Sequence, residues 1–219
     1  MTARAAIFDC DGTLVDGQAA VVEAMEHAFR AAALPAPGSN RVRRIVGLSL
    51  PQAVRSLAPD AGEEARDIVV STYKAAFRKA REDGRLEEPL YDGIAILLNE
   101  LMEDGWRLGV ATGKSQRGLV SCLDRHGLNL HFGTLQTADY HPSKPDPAML
   151  LAALDELDVA PDRAAMIGDT TFDMEMAKAA GVTPVGVAWG YHAPEELRDA
   201  GAQYVAEDPD DLRRVLGDG

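Results

Sequence analysis

From Pro89 onward, short apolar runs alternate with stretches whose apolar residues recur at helical spacing. Runs at 107–111, 132–135, 164–167 and 183–187 are interleaved with helical patterns at 94–103, 118–125, 147–157 and 172–180. A helix-and-strand pair over 195–205 and a closing helix over 209–216 complete the series. Strands alternating with helices of these lengths predict βαβ units and a parallel sheet. One further run, Ala5-Ala6-Ile7-Phe8, stands alone near the N-terminus, and its unbroken apolar character suits a strand buried on both faces. Between it and Pro89 the chain reads only as helix. The segment 18–34 places Val22, Met25, Ala28 and Phe29 on one face, and Pro35 and Pro37 end it. A short helix over 41–46 stops at Gly47, Pro51 suits the opening of the next, and 63–85 forms a long helix carrying Ile68, Val69, Tyr73, Ala76 and Phe77. The expected architecture is therefore an α/β core, residues 1–15 and 89–219, split by an all-helical insertion at 16–88.

The lone N-terminal strand ends in Asp9-Cys10-Asp11-Gly12-Thr13. Strand alternation points Asp9 and Asp11 to one side and Cys10 to the other, into the core. Two bare carboxylates at the end of a buried strand repel each other, and a hard divalent cation with oxygen ligands would offset that repulsion. Taken alone, Asp-x-Asp-Gly is equally a turn.

Open α/β sheets bind ligands at the carboxyl ends of their strands. Three more polar segments fall there: Ala111-Thr112-Gly113-Lys114, Ser143-Lys144-Pro145-Asp146-Pro147 and Gly168-Asp169-Thr170-Thr171-Phe172-Asp173. Each has an ordinary reading. Thr112 suits a helix N-cap, Lys144 a solvated loop charge, and Asp169 and Asp173 acids at a helix N-terminus. Together, in this order, the four segments resemble the haloacid dehalogenase-like superfamily of phosphotransferases over essentially the whole chain. The nearest branch is that of small phosphatases such as phosphoglycolate phosphatase.

The resemblance implies a Rossmann-like parallel-sheet core with an inserted all-helical cap, and it implies roles. Asp9 matches the nucleophile that forms an aspartyl-phosphate, and Asp11 the general acid and base. Thr112, Gly113 and Lys144 match the phosphate-binding positions. Mg²⁺ would be held by Asp9, Asp169 and the backbone carbonyl of Asp11, with Asp173 acting through water or Lys144. Gly47, Leu48 and Ser49 match the cap loop that faces the site. Related mutases tend to carry a cation in that loop, where this chain has Leu50. Arg43, Arg44 and Arg55 flank the loop and are placed to reach a substrate carboxylate or second phosphate, or else simply face solvent.

Charge bounds the partners. Lys and Arg total 22 against 35 Asp and Glu, a formal charge of −13, which speaks against nucleic acid or an anionic membrane. An anionic substrate would need cations gathered locally. No segment reads as a signal peptide or membrane span. Cys10 and Cys122 suggest neither a disulfide framework nor a metal site, and the five histidines show no ligand spacing. The expectation is a cytoplasmic, Mg²⁺-dependent phosphatase of a small phosphorylated metabolite, phosphoglycolate first. A β-phosphoglucomutase-like mutase, a pyrophosphatase or nucleotidase, and a catalytically silent binding module are the alternatives. Dehalogenation is disfavoured, having no use for Asp11 or the metal ligands.

Overall fold

The computed structural model describes residues 3–217. Strands β1 (Arg4–Phe8), β2 (Trp106–Thr112), β3 (Phe132–Thr137), β4 (Ala164–Gly168), β5 (Thr183–Val187) and β6 (Tyr204–Ala206) form one parallel sheet in the order β3-β2-β1-β4-β5-β6. The lone N-terminal strand is thus central, with chain direction across the sheet reversing beside it, where such sheets open a crevice.

The sheet is buried on both faces, as the apolar run suggests. Ala6, Phe8 and Cys10 pack on one side, against α5 (Ile94–Glu103), α6 (Gln116–His126) and α10 (Pro209–Gly217). Ala5 and Ile7 pack on the other, against α7 (Ala148–Leu157) and α8 (Thr171–Ala180). Between β5 and β6 runs α9 (Pro194–Ala200). Local chemistry sets the helix ends. Ser115 Oγ accepts from Gly118 N–H at 3.2 Å to cap α6, and Gly127 closes that helix at φ 69°.

Helices α1 (Gln18–Ala31), α2 (Ser39–Arg43), α3 (Leu50–Leu57) and α4 (Glu63–Glu82) lie between β1 and α5 and share a separate apolar cluster. Met25, Phe29, Val42, Val54, Leu57 and Val69 are among its buried members. Burial of each large side chain contributes about 1.5–3 kcal/mol, so the helical block carries its own core. The chain enters and leaves this block at one place. Val15 bridges Leu90, and Asp16 N–H donates to the Pro89 carbonyl at 2.8 Å.

Three details differ from the sequence expectations. Strand β3 runs to Thr137, beyond its apolar run, because buried Thr134 and Gln136 are bonded to each other at 2.7 Å and Gln136 to His141 at 2.7 Å. A hydrogen-bonded polar residue tolerates burial, which apolar periodicity does not register. Ile68, assigned to the apolar face of α4, is exposed, the packed face being Val69, Val70, Tyr73 and Phe77. The helix placed at 41–46 is α2, ending at Arg43 before turns lead to Gly47.

Candidate active site

Four strand-end segments meet at the sheet's crevice. Asp9 N–H donates to the Ile167 carbonyl at 2.9 Å, holding the first acid level with the end of β4. Its Oδ1 accepts from Cys10 N–H at 2.6 Å, while Oδ2 faces Lys144 Nζ at 3.1 Å and accepts no directed hydrogen bond. Lys144 is wholly buried and reaches Asp173 Oδ1 at 2.6 Å. Asp173 Oδ2 in turn accepts from Thr170 N–H at 3.1 Å and Thr170 Oγ at 2.7 Å, so this acid both caps α8 and anchors the lysine. Asp169 accepts from Thr13 Oγ at 2.8 Å through one oxygen and from Tyr191 N–H at 2.9 Å through the other.

Gly12 makes this approach possible. Its φ of 85° is the left-handed region, and a Cβ there would lie 2.1 Å from an Asp169 oxygen. Cys10, as expected, points away from the site and into the core beside Cys122.

The site holds excess negative charge. Asp9, Asp169 and Asp173 each present an oxygen within 4.8 Å of the others, and Lys144 alone stands among them. Burial pushes Asp9 up to about 6, with Lys144 opposing the shift and Asp173 adding to it. Burial raises Asp169 well above the ordinary carboxylate range, with Asp9 and Asp173 contributing. Burial works against the Lys144 ammonium, yet Asp173 and Asp9 outweigh it and hold the lysine charged. A cluster of hard oxygen donors with an unpartnered oxygen on Asp9 fits a divalent cation. Both oxygens of Asp169 and of Asp173 already accept hydrogen bonds, which leaves Asp9 Oδ2, facing only the Lys144 ammonium, as the freest donor of the cluster.

Asp11 lies outside this cluster. Its two oxygens receive Lys114 Nζ at 2.7 and 2.9 Å, and the same ammonium reaches Glu88 at 2.7 Å. Burial disfavours the charged lysine, but the Asp11 and Glu88 carboxylates paired to it hold it well above its ordinary value. The Lys114 side chain is 9% exposed and that of Glu88 2%. Neither residue has an expected role in the strand-end motifs. The available signal was position, with Lys114 two residues beyond Thr112 and Glu88 next to the Pro89 boundary.

The expected loop is in place. Residues 47–49 sit on the core so closely that a Cβ on Gly113 would lie 2.5 Å from the Gly47 carbonyl oxygen and 2.6 Å from that of Leu48. Ser49 N–H donates to Ser143 Oγ at 2.8 Å. Thr112 is buried, and its hydroxyl accepts from Lys114 N–H at 3.3 Å.

The flanking arginines do not line the site. Arg44 pairs with Glu196 on α9 at 2.5 and 2.7 Å, and Arg43 and Arg55 face solvent. The cations that do line the space between helical block and sheet are Lys74, Arg78 and Arg81 on α4, Arg117 on α6, and Lys114 in its ion pair with Asp11 and Glu88. The space measures about 540 Å³ and runs from Asp9 and Asp11 to Tyr73 and Phe77. Among the histidines, His192 fastens the loop beside Asp169. Its N–H donates to the Asp169 carbonyl at 3.3 Å, and Nδ1 accepts from Thr171 N–H at 3.2 Å.

A parallel sheet of this order, with acids at the ends of its first and fourth strands and a helical insertion after the first, defines a doubly wound α/β protein with a carboxylate-lined crevice. Within that class, a family model described as haloacid dehalogenase-like hydrolase matches residues 6–187, and the chain belongs to that family. It is a phosphatase of that family. It is 35% identical over 207 residues to the "Probable phosphatase IndB" of Dickeya dadantii, covering 92% of this chain and 88% of that protein. It is 34% identical over 214 residues to the "Tyrosine-protein kinase PtkA" of Mycobacterium tuberculosis, covering 96% of this chain and 72% of that protein. A phosphoglycolate phosphatase of Vibrio cholerae is 28% identical, with 95% of each chain covered. The crystal structure of a hydrolase from Pseudomonas syringae superposes with a TM-score of 0.87 at 28% identity and 98% coverage of both chains. Among the described residues, no helix is long and apolar enough to cross a membrane.

Proposed function

We propose that this chain is a Mg²⁺-dependent phosphomonoesterase working through an aspartyl-phosphate on Asp9. The observation that carries the reading is the buried quartet of Asp9, Lys144, Asp173 and Asp169, an anionic donor set with one fixed counter-charge. In this reading, Asp9 and Asp169 side chains and the Asp11 backbone carbonyl hold the ion, and Asp173 acts through Lys144. When bound, the ion supplies positive charge against the phosphoryl oxygens.

The chain's own groups account for the rest. An Asp9 oxygen attacks phosphorus as the bond to the leaving oxygen breaks, and Asp11 gives that oxygen a proton. Asp11 then takes a proton from water as the water oxygen attacks phosphorus. The bond to Asp9 breaks, returning the carboxylate and releasing inorganic phosphate. Lys144, Thr112 and the amide of Gly113 orient the phosphoryl oxygens, mostly by fixed charge and dipole. Lys114 is a positioning residue, holding the Asp11 carboxylate clear of the Asp9–Asp169 cluster.

Residues 16–88 act in this scheme as a cap domain that excludes water, with Gly47, Leu48 and Ser49 its contact loop and 1–15 with 89–219 the phosphatase core. The substrate is a small phosphorylated metabolite. Phosphoglycolate, named in several relatives, is the first candidate, and no nucleic acid or membrane partner is invoked. A cytoplasmic setting follows from the same expectations. The cap loop offers no cation at Leu50, which leaves the mutase alternative without support.

The test is hydrolysis of p-nitrophenyl phosphate by the full chain. The expected result is turnover that needs Mg²⁺ and is lost in Asp9→Asn. Phosphate release that persists in Asp9→Asn or in excess chelator overturns the reading, as does transfer of phosphate from ATP to a protein tyrosine in its place.

A further inference from the structure

The cavity between cap and core is built for more than a two-carbon acid. Its volume of about 540 Å³ falls in the range of roughly 300–1,000 Å³ that encloses ligands of drug size. Its cap side is apolar, with Met25, Tyr73 and Phe77 as the largest wall residues, and the Tyr73 and Phe77 rings lie 4.8 Å apart, tilted by 31°. A small polar leaving group would leave that wall wet, forfeiting about 25 cal/mol for each Å² it fails to cover.

Charge supplies the second observation. Arg78, Arg81 and Arg117 line the same cavity and, among the described residues, make no ion pair and no side-chain hydrogen bond. The Arg81 Nε is itself buried without a partner. Arg78 and Arg117 are exposed, so Arg81, with its buried Nε, is the one of the three whose burial leaves a donor without an acceptor. Asp139, the acid that lines the cavity apart from Asp9 and Asp11, is occupied by Gln116 N–H at 2.8 Å. Guanidinium groups so placed suit a carboxylate or phosphate, which they bind in two-pronged fashion.

Resting on the phosphomonoesterase reading, we propose that the substrate is a phosphate ester whose alcohol carries an apolar, ring-sized body and a second anionic group. The body rests against Met25, Tyr73 and Phe77. The anion meets Arg78, Arg81 and Arg117 at the end of the cavity remote from Asp9.

Three esters of primary alcohols separate these features at comparable intrinsic reactivity: phosphoglycolate, benzyl phosphate and 4-carboxybenzyl phosphate, each assayed with the full chain and Mg²⁺. The expected kcat/KM rises in that order, by about tenfold per step. Phe77→Ala lowers the ratio of benzyl phosphate to phosphoglycolate. Arg81→Gln combined with Arg117→Gln draws the ratio of the two benzyl esters toward one, through KM. A thermal unfolding curve for each variant verifies that it is folded. Preference for phosphoglycolate, or a carboxybenzyl preference that survives the double substitution, overturns the proposal while leaving the phosphatase reading intact. No Mg²⁺-dependent turnover of any ester, p-nitrophenyl phosphate included, overturns that reading and this inference with it.

Discussion

The end of the sheet and the wall of the cap face each other across one cavity but are held in opposite ways. At the sheet, each acid is fixed by partners on other elements: Asp9 by β4, Asp169 by Thr13 and Tyr191, Asp173 by Thr170 and Lys144. On the cap wall, Arg78 and Arg81 project from α4 with no acid to hold them among the described residues, beside the Tyr73 and Phe77 rings, which lie together and pack on the helical block's own apolar cluster. Satisfied polar networks fix a geometry, and unsatisfied ones wait for a ligand. In the proposed reading, the difference means that the reacting groups are set before substrate arrives, while the groups that meet the leaving alcohol are completed by it.

The largest effect should come from breaking the fixed side. Lys144→Met strands three buried acids without a counter-charge. It should cost about 3–5 kcal/mol of stability in denaturant unfolding and remove detectable turnover. Next comes the ion. Mg²⁺ at 100 times its Kd should raise stability by about 2.7 kcal/mol, and Asp169→Asn should abolish that increment. A thermal shift unaffected by the substitution would place the ion elsewhere.

The bridge between the two sides gives a smaller, more specific effect. Lys114→Met should lower kcat by about 10²-fold for alkyl phosphates, in the range of general acid catalysis. It should lower kcat much less for p-nitrophenyl phosphate, whose leaving group needs little protonation. An equal loss on both would reduce Lys114 to a structural role. Gly113→Ala should push the loop at 47–49 off the core and raise KM with little change in fold stability, read from steady-state kinetics and melting.

The smallest effect is at the outer seam. Arg44 and the Ala193 amide hold Glu196 below its ordinary value of 4.5. A depressed carboxylate stabilises above its unfolded pKa, so the contact should be intact above about pH 4.5 and fade as pH falls through the lower folded value. With Arg44 54% exposed, it should contribute only a few tenths of a kcal/mol, measured as the pH-dependent difference between wild type and Glu196→Gln.

Legibility in the sequence follows the same division. The strand-end acids could be read because a buried apolar strand that stops on a charge has few explanations, and four such endings in order have fewer. The insertion could be read because helical periodicity is local. Lys114 with Glu88 could not, since their contact spans 26 positions and neither residue is unusual by itself. Arg43, Arg44 and Arg55 drew attention through nearness in sequence to the loop at 47–49. Three of the cations that line the cavity, Lys74, Arg78 and Arg81, stand on the far helix, where Tyr73, Phe77 and Arg81 share a face at four-residue spacing. Such a face reads from sequence as ordinary amphipathic packing. Strand β3 was under-read because its buried polar residues satisfy one another only once folded.

The single hydrogen bond from Asp16 to Pro89 has a consequence for how such a molecule can change. Since the inserted helices leave and rejoin the sheet at adjacent residues, the sheet experiences them as one loop, whatever their length. Its register, its strand ends and the acids they carry place no demand on what is threaded through that junction. If the inserted helices choose the substrate, as proposed, a segment whose two ends meet as closely could be exchanged there and the substrate rewritten while the reaction stays the same.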